Sequence, residues 1–416
     1  KAAKLLKIEW DHGPNGKRNA RELYAEFDEI RKSENNIRYK AGDIDQGLQS
    51  AVSKVSAEYS SPYLAHALME PLNAIADFSN GVNLEVWAGT QSPQHSTQNL
   101  AGSLGIDRRA ITVHPFPMGG GYGRRYFCDF ILEAAVISRK VKKPVKLTWT
   151  REDEIQFGSY HPLRKDYLEC GLDKDGNIES LSHSRGTTHE WGGGELPFVY
   201  GHQHIRVNSH FYENSIVHWG SWRSVVAHLD FFAQEILVDE IAHTQKKDPL
   251  AYRVSQLQRP IPESFEKSSN GSFLKNIDFL KRMYVNVLQA AADMAQWDKP
   301  RPKNIGLGIA ASVYHGRSFC AYVVEVERQK DAVKINRVYC AADAGLAVNP
   351  NLVEGQIESS ILWGLTPVLH GGVDVIDGAI VQSNFHDMPI ARMSESPEME
   401  IKLFNFEDRG PQGVGE

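Results

Sequence analysis

The sequence predicts an α+β fold of several domains, with mixed sheets and helices packed on them. Three observations carry that expectation. At 416 residues the chain is too long for one ordinary hydrophobic core. Short β-branched runs alternate along it with longer stretches whose apolar residues recur every three or four positions. These alternations fall into blocks separated by polar or glycine-rich segments, with no short repeat of solenoid type. Composition agrees with a globular chain: 41% hydrophobic and 24% charged residues, with 34 glycines. A net charge of −6 argues against a nucleic-acid partner, since phosphate binding needs a concentrated basic face. No run approaches the about eighteen apolar residues that would span a bilayer.

Residues 1–55 read as a polar, helix-prone connecting or capping segment, with Ala20 to Arg31 as an amphipathic helix. The block 56–150 holds the clearest alternation. Val82 to Ala88 is a strand, and Ser92-Pro93 opens a helix to Leu104. Ile111 to Pro115 is a second strand. After a glycine-rich turn, a helix from Cys128 to Lys140 carries Phe130, Ile131, Ala134, Ala135 and Ile137 as its apolar stripe. Pro144 to Thr150 closes the block as a strand.

In the block 151–255, Tyr167 to Leu172 and Ile178 to Arg185 flank the turn Asp173-Lys174-Asp175-Gly176-Asn177 as a hairpin. Ser224 to Ala242 is the strongest helix, with Leu229, Phe232, Ala233, Ile236, Leu237 and Ile241 on one face. Residues 256–300 are a linker, polar to 275, and then a helix from Ile277 to Trp297. The block 301–416 offers strands at Gly306–Val313, Cys320–Arg328 and Ala332–Ala342. An Asn349-Pro350 turn follows, then a helix from Leu352 to Trp363. A start at Lys1 and a stop just after a Gly-Pro-Gln-Gly-Val-Gly turn suggest a piece of a longer chain.

Cys128, Cys170, Cys320 and Cys340 have no C-x-x-C-like spacing, so they read as free thiols that build neither a zinc site nor an iron–sulfur cluster. The sharpest local feature is Met118-Gly119-Gly120-Gly121-Tyr122-Gly123-Arg124-Arg125, between a strand and a helix. Glycines let a ligand approach the backbone, the helix N-terminus offers free N–H groups, and two arginines would add affinity for an anion. A phosphate-bearing cofactor suits that pattern. The spacing is neither the G-x-G-x-x-G of dinucleotide folds nor a Walker loop, and by itself such a run is as often only a tight turn.

Together with Lys143-Pro144-Val145-Lys146-Leu147-Thr148-Trp149-Thr150-Arg151-Glu152-Asp153, that run resembles the molybdenum hydroxylase family, which includes the xanthine oxidases. Arg124-Arg125 after the glycines is most similar to isoquinoline oxidoreductase-type large subunits, often labelled membrane-bound aldehyde dehydrogenases. Further segments fall in the family's order: Ala65-His66-Ala67-Leu68-Met69-Glu70-Pro71, Gly89-Thr90-Gln91-Ser92-Pro93, Trp222-Arg223-Ser224, Asp343-Ala344-Gly345, Gly355-Gln356-Ile357-Glu358 and Gly413-Val414-Gly415-Glu416. The resemblance spans nearly the whole chain.

It implies a molybdenum atom held by the dithiolene of a pterin, in bacteria usually with a cytosine dinucleotide tail, and no metal ligand from a protein side chain. It implies hydroxylation or oxidation of an aldehyde or N-heteroaromatic carbon with oxygen from water. Electrons would leave to [2Fe–2S] clusters on a small partner subunit. Further partners would be a cytochrome c subunit and the remainder of the large subunit. The compartment it favours is the periplasm, peripheral to the inner membrane.

By the same resemblance Glu416 is the catalytic base, although on residues alone it reads as an exposed terminal acid. Gln91 is the amide facing the metal's apical oxygen. Gly119, Gly120, Gly121, Tyr122, Gly123, Arg124, Arg223 and Gln356 bind the cofactor, and Tyr122, Tyr126 and Trp222 line the substrate pocket. Two departures stand out. Tyr126 occupies the place where purine-oxidising relatives carry a glutamate, which favours an apolar or aromatic substrate. No Met-Gly-Gln-Gly-type loop occurs in the 416 residues. His66 reads as a core histidine with Glu70 as partner, and Trp191-Gly192-Gly193-Gly194 as a mobile loop. The alternative from another class is a non-catalytic binding or assembly protein that keeps the fold. A flavin or nicotinamide dehydrogenase is disfavoured for want of a Rossmann fingerprint.

Overall fold

The structure, a computed structural model, describes residues 5–32, 36–189, 198–212, 215–225, 227–262, 276–314 and 316–415. Glu416, the run Trp191 to Gly194 and most of the polar stretch expected at 256–275 lie outside the described residues. Within them the architecture is α+β, as expected, but the chain is nested rather than laid out in successive blocks.

Strand β1 (Ile37–Ala41) and strand β2 (Ser53–Ser61) both join a five-stranded sheet with later strands. Its order is β1-β9-β8-β7-β2, where β7 is Arg164–Leu172, β8 Ile178–Thr187 and β9 His204–Phe211. Ser53 pairs with Leu172 and Ser61 with Arg164, antiparallel. The segment 1–55 is therefore more than a connector. Beyond helix α1 (Ala20–Ile30), it supplies an edge strand and helix α2 (Ile44–Ser50). The edge strand leaves no signal in the sequence because most of its residues are exposed, giving no alternation to read, and its partners are more than 150 positions away.

Between β2 and β7 sits a second unit. Strands β3 (Asn73–Asp77), β4 (Leu84–Ala88), β5 (Ile111–Pro115) and β6 (Val145–Thr148) form a sheet in the order β5-β4-β3-β6. Helices α3 (Pro93–Leu104) and α4 (Asp129–Val141) accompany it, and the short helix α5 (Arg151–Phe157) leads back to β7. The core of this unit runs from Leu68 to Trp149 and draws on no described residue outside that span. The expected block 56–150 is thus a packing unit without β2. On α4 the buried stripe is Phe130, Ile131, Ala134, Ala135 and Ser138 rather than Ile137, which is exposed. The buried Ser138 is satisfied by bridging: its Oγ accepts from Phe78 N at 2.8 Å and donates to Lys143 O at 2.7 Å.

Most of the remainder shares one core, with two smaller clusters beside it. Leu168 and Ile178 of the large sheet, Leu237 and Ile241 of helix α6 (Ala227–Thr244), Tyr284 and Leu288 of helix α8 (Ile277–Met294), and Ile309 and Val323 of the third sheet belong to it. Helix α7 (Pro249–Leu257) adds Leu250, Tyr252 and Leu257. The blocks 151–255 and 301–416 are therefore not separate cores. On α6 it is Phe231 that is buried, while the expected Phe232 is exposed. The third sheet has the order β10-β11-β12-β15, with β10 Ile305–Tyr314, β11 Ser318–Arg328, β12 Val333–Asp343 and β15 Glu398–Phe404 parallel to β12. A small ribbon of β13 (Val375–Ile376) and β14 (Ala379–Ile380) precedes β15. Helix α9 (Pro350–His370) packs on the third sheet through Ile357 and Ile361. Asn349 caps α9, its side chain accepting from Leu352 N at 3.3 Å, with Pro350 in the first turn. The helix runs on past Trp363 to His370 despite Gly364 and Pro367, because packing overrides their low propensity.

Candidate active site

Between the second unit and α9 lies a cleft of about 590 Å³. One wall is the glycine loop. Its shape is set by Arg125, which is fully buried and donates to Gly120 O at 2.9 Å, Glu70 O at 2.9 Å and Gly89 O at 3.3 Å. Glu70 completes the scaffold: its Oε2 accepts from Gly119 N at 2.6 Å and lies 3.1 Å from the Arg125 guanidinium. Partial burial works against the Glu70 carboxylate, but the Asn73 amide, the Gly119 N–H and Arg125 together hold its pKa below the usual value. Gln91 closes the loop from within, its Oε1 accepting from Gly123 N at 3.0 Å. That fit requires glycine twice. A Cβ on Gly121 would come within 2.7 Å of Gln91 Oε1, and Gly123 has φ +98° with room for a Cβ only 1.8 Å from Ser221 O.

The opposite wall is α9 with the terminal run Val414-Gly415. Arg223 ties it together. Its guanidinium donates to Ser359 Oγ at 2.9 Å, to Gln356 O at 2.9 Å and to Gln356 Oε1 at 3.2 Å, and through Nε to Gly415 O. The same cation lies 5.9 Å from the centre of the Tyr122 ring on the loop wall. Arg223 stands in a tight turn before α6, not at a helix start as the sequence suggested. Val225 N donates to Trp222 O at 2.7 Å, and Ser224 and Val225 both take positive φ, +67° and +58°.

The cleft thus brings together Gln91, Gly120, Gly121, Tyr122, Gly123, Arg223 and Gln356, with Gly415 beside them. Gly119 is turned toward Glu70. Arg124 stands apart: it is buried, forms a bidentate pair with Asp129 at 2.6 and 2.9 Å and lies 5.4 Å from the Trp149 ring centre. Its charge is directed to the start of α4 instead of being offered to a ligand. Of the three aromatics expected around a substrate, only Tyr122 lines the cleft. Tyr126 stacks on His95 with ring centres 4.4 Å apart. Trp222 is buried against His161 and His228 and faces a small apolar cavity shared with Trp363. Trp363 in turn stacks on Tyr122 at 4.0 Å. His66 contacts Ser221 O at 2.7 Å and Ser159 O at 3.2 Å, so its partners are backbone carbonyls and not Glu70. Burial pushes its pKa down to about 4.

Sequence reasoning missed Ser359 and Trp363. Both lie on α9 at helical spacing from Gln356, three and seven residues on, which puts them on one face. That spacing was the available signal.

The donor set decides what the cleft can hold. Among the described residues lining it there is no carboxylate, histidine or cysteine. The N–H groups of Gly120, Gly121 and Tyr122 donate to no described protein group. With the amides of Gln91, Asn351 and Gln356 and one guanidinium added, the surface favours an anion rich in acceptors and offers a metal no carboxylate, imidazole or thiolate. A molybdopterin, with phosphate, dithiolene and a metal held by the cofactor itself, fits that chemistry. A second, apolar cavity of about 440 Å³ borders Val414 and Gly415 as well, but its walls of Phe231, Ile236, Phe319, Ile361 and Leu365 suit no anion.

Two family models described as molybdopterin cofactor-binding domains match residues 27–257 and 283–397. Among curated relatives, a membrane-bound aldehyde dehydrogenase of Gluconacetobacter polyoxogenes, whose name specifies pyrroloquinoline quinone, is 27% identical over 448 residues, covering 100% of this chain and 57% of its own. The beta subunit of isoquinoline 1-oxidoreductase from Brevundimonas diminuta is 29% identical over 386 residues, covering 87% of this chain and 46% of its own. A nicotinate dehydrogenase chain of Pseudomonas putida is 27% identical over 418 residues, at 90% and 33%. The chain therefore spans about half, or less, of these relatives. Among solved structures, quinoline 2-oxidoreductase from Pseudomonas putida superposes with a TM-score of 0.77 at 15% identity, covering 100% of this chain and 78% of that one. Carbon monoxide dehydrogenase from Oligotropha carboxidovorans gives 0.76 at 14%, at 92% and 73%, and both show a shared fold. The chain belongs to the molybdopterin cofactor-binding family, as molybdenum-binding sequence of the xanthine oxidase type.

Proposed function

We propose that the protein containing this chain is a molybdenum hydroxylase that oxidises an aldehyde or N-heteroaromatic carbon. The observation that carries the reading is the convergence of the glycine loop, Gln91, Arg223, Gln356 and Gly415 on one donor-lined cleft. When bound, the molybdopterin supplies oxygen derived from water and takes up the two electrons of the oxidation. The chain's own residues do the rest. Loop N–H groups and the Gln91 and Gln356 amides hold an anionic ligand by hydrogen bonds that add no charge. Arg223 adds the balancing positive charge. Glu416, next in sequence to Gly415, acts as the general base, its carboxylate accepting the proton whose removal creates the nucleophile.

The substrate class draws support from relatives named for isoquinoline, nicotinate and an aldehyde. The cytosine dinucleotide form of the cofactor, a [2Fe–2S] partner subunit, a cytochrome c subunit and a periplasmic site peripheral to the inner membrane complete the proposal. Among the described residues no helix is long and apolar enough to cross a membrane.

Metal and nucleotide analysis of the intact complex tests it. About one molybdenum per protomer with a released cytosine nucleotide is expected. A correctly assembled complex without molybdenum, or with pyrroloquinoline quinone in its place, overturns the proposal and favours a non-catalytic or different redox role.

A further inference from the structure

We infer that Arg223 is a positioning residue that makes the cleft a one-directional reader of hydrogen bonds, fixing the Gln356 amide with its NH2 group free for the ligand while holding the carbonyl that precedes Glu416. The inference rests on the reading of the cleft as the site of an anionic cofactor.

A guanidinium has five N–H donors and no acceptor. The group it meets on Gln356 at 3.2 Å must therefore be the amide oxygen, and the amide NH2 is left to face elsewhere. Gln91 obeys the same logic on the other wall, where its oxygen is taken by the Gly123 N–H at 3.0 Å. These two of the three cleft amides are thus oriented by donor-only neighbours, and both keep N–H groups for a ligand. An acceptor such as thiolate sulfur or phosphate oxygen satisfies them; a cation or a ligand donor does not. Flipping either amide would set donor against donor.

The same guanidinium reaches Ser359 Oγ and the carbonyls of Gln356 and Gly415, so one planar group joins α9 to the terminal run. Lysine, with one point of charge, cannot span these acceptors. The clasp closes only on glycine. Gly415 has φ +80°, and a Cβ there would lie 2.7 Å from Gln356 O and 2.9 Å from Arg223 NH2. The arginine is aimed by a turn in which a β-branched residue, Val225, sits at φ +58°, a conformation kept only when the surroundings impose it.

A double-variant cycle in the holoenzyme tests the inference. Arg223→Met and Gln356→Leu should each speed molybdenum loss on dialysis by about 10- to 100-fold. The double variant should lose it no faster than about twofold beyond the worse single, because the two side chains act as one unit. Arg223→Lys should not rescue. Additive losses, or retention by Arg223→Lys equal to the unmodified protein, overturn the inference. A second measurement needs no cofactor: amide exchange in the cofactor-free protein. Arg223→Met should speed exchange in residues 411–416 and leave 119–125 unchanged; unchanged exchange at 411–416 overturns the clasp. An unmodified protein without molybdenum sinks the functional reading instead, and the exchange experiment then still judges the clasp.

Discussion

The two walls of the cleft are built on opposite plans. The loop wall belongs to a unit with its own core, and its organiser, Arg125, is fully buried and bonded to three carbonyls within that unit. The far wall comes from α9 and the terminal run, and its organiser, Arg223, is half-buried and joins two segments that each lie more than 130 positions from it in sequence. In the sequence three arginines look alike as anion binders. Position relative to the core separates them: Arg124 and Arg125 serve the scaffold, and Arg223 alone among them lines the cleft. The loop wall is therefore expected to persist without a ligand, and the far wall to depend on its clasp.

The sharpest way to break this comparison is kinetic. Glu416→Gln should cut turnover by about 10²- to 10⁴-fold while molybdenum content stays unchanged, since a general base contributes on that order. Near-normal turnover would remove Glu416 from the chemistry. Next in size is stability. Arg125→Met leaves the carbonyls of Glu70, Gly89 and Gly120 without their donor and the Glu70 carboxylate without its cation, and should cost on the order of 3 kcal/mol in chemical denaturation. Arg223→Met should cost less than about 1 kcal/mol by the same measurement, because its acceptors can turn to water. Equal costs would erase the distinction between scaffold and clasp.

A further effect is pH-dependent and belongs to the loop side. Buried His66 has its pKa lowered to about 4, against an unfolded value near 6.5, so the unfolded chain takes up the proton first. Stability should fall as pH drops below about 6.5 and level off below about 4 for this group. Glu70 is also lowered, but as an acid: its contribution is present above its unfolded value near 4.3 and is lost as pH falls through the folded value. Thermal melts from pH 7 to 4, compared with a His66→Gln variant, check the first step. An unchanged slope in that variant would show that protonation of His66 is not what destabilises the fold in that range.

Much of this is legible in one dimension. Helices α3 and α4 and the hairpin at Asp173–Asn177 follow from caps, periodicity and turn residues that lie close together in sequence. The glycine loop stands out by composition, and Gln91, Arg223 and Gln356 surround it where the family resemblance directs attention. Arg124 departs from expectation because adjacency to a glycine loop says nothing about which way a guanidinium turns. Tyr126 and Trp222 fall outside the cleft lining for the same reason.

By itself the sequence determined helices α3 and α4, the Asp173–Asn177 hairpin, the donor-rich loop and the family resemblance. Only the tertiary structure decided that β2 pairs with β7 across an inserted unit, that Gly123 presses on Ser221, and that one arginine holds Gln356 and Gly415 together. The physical reason is range. Helix and turn bonds connect residues a few positions apart and leave a period in the sequence, whereas a contact across about 100 residues or more leaves none, and its existence depends on packing that no single segment encodes.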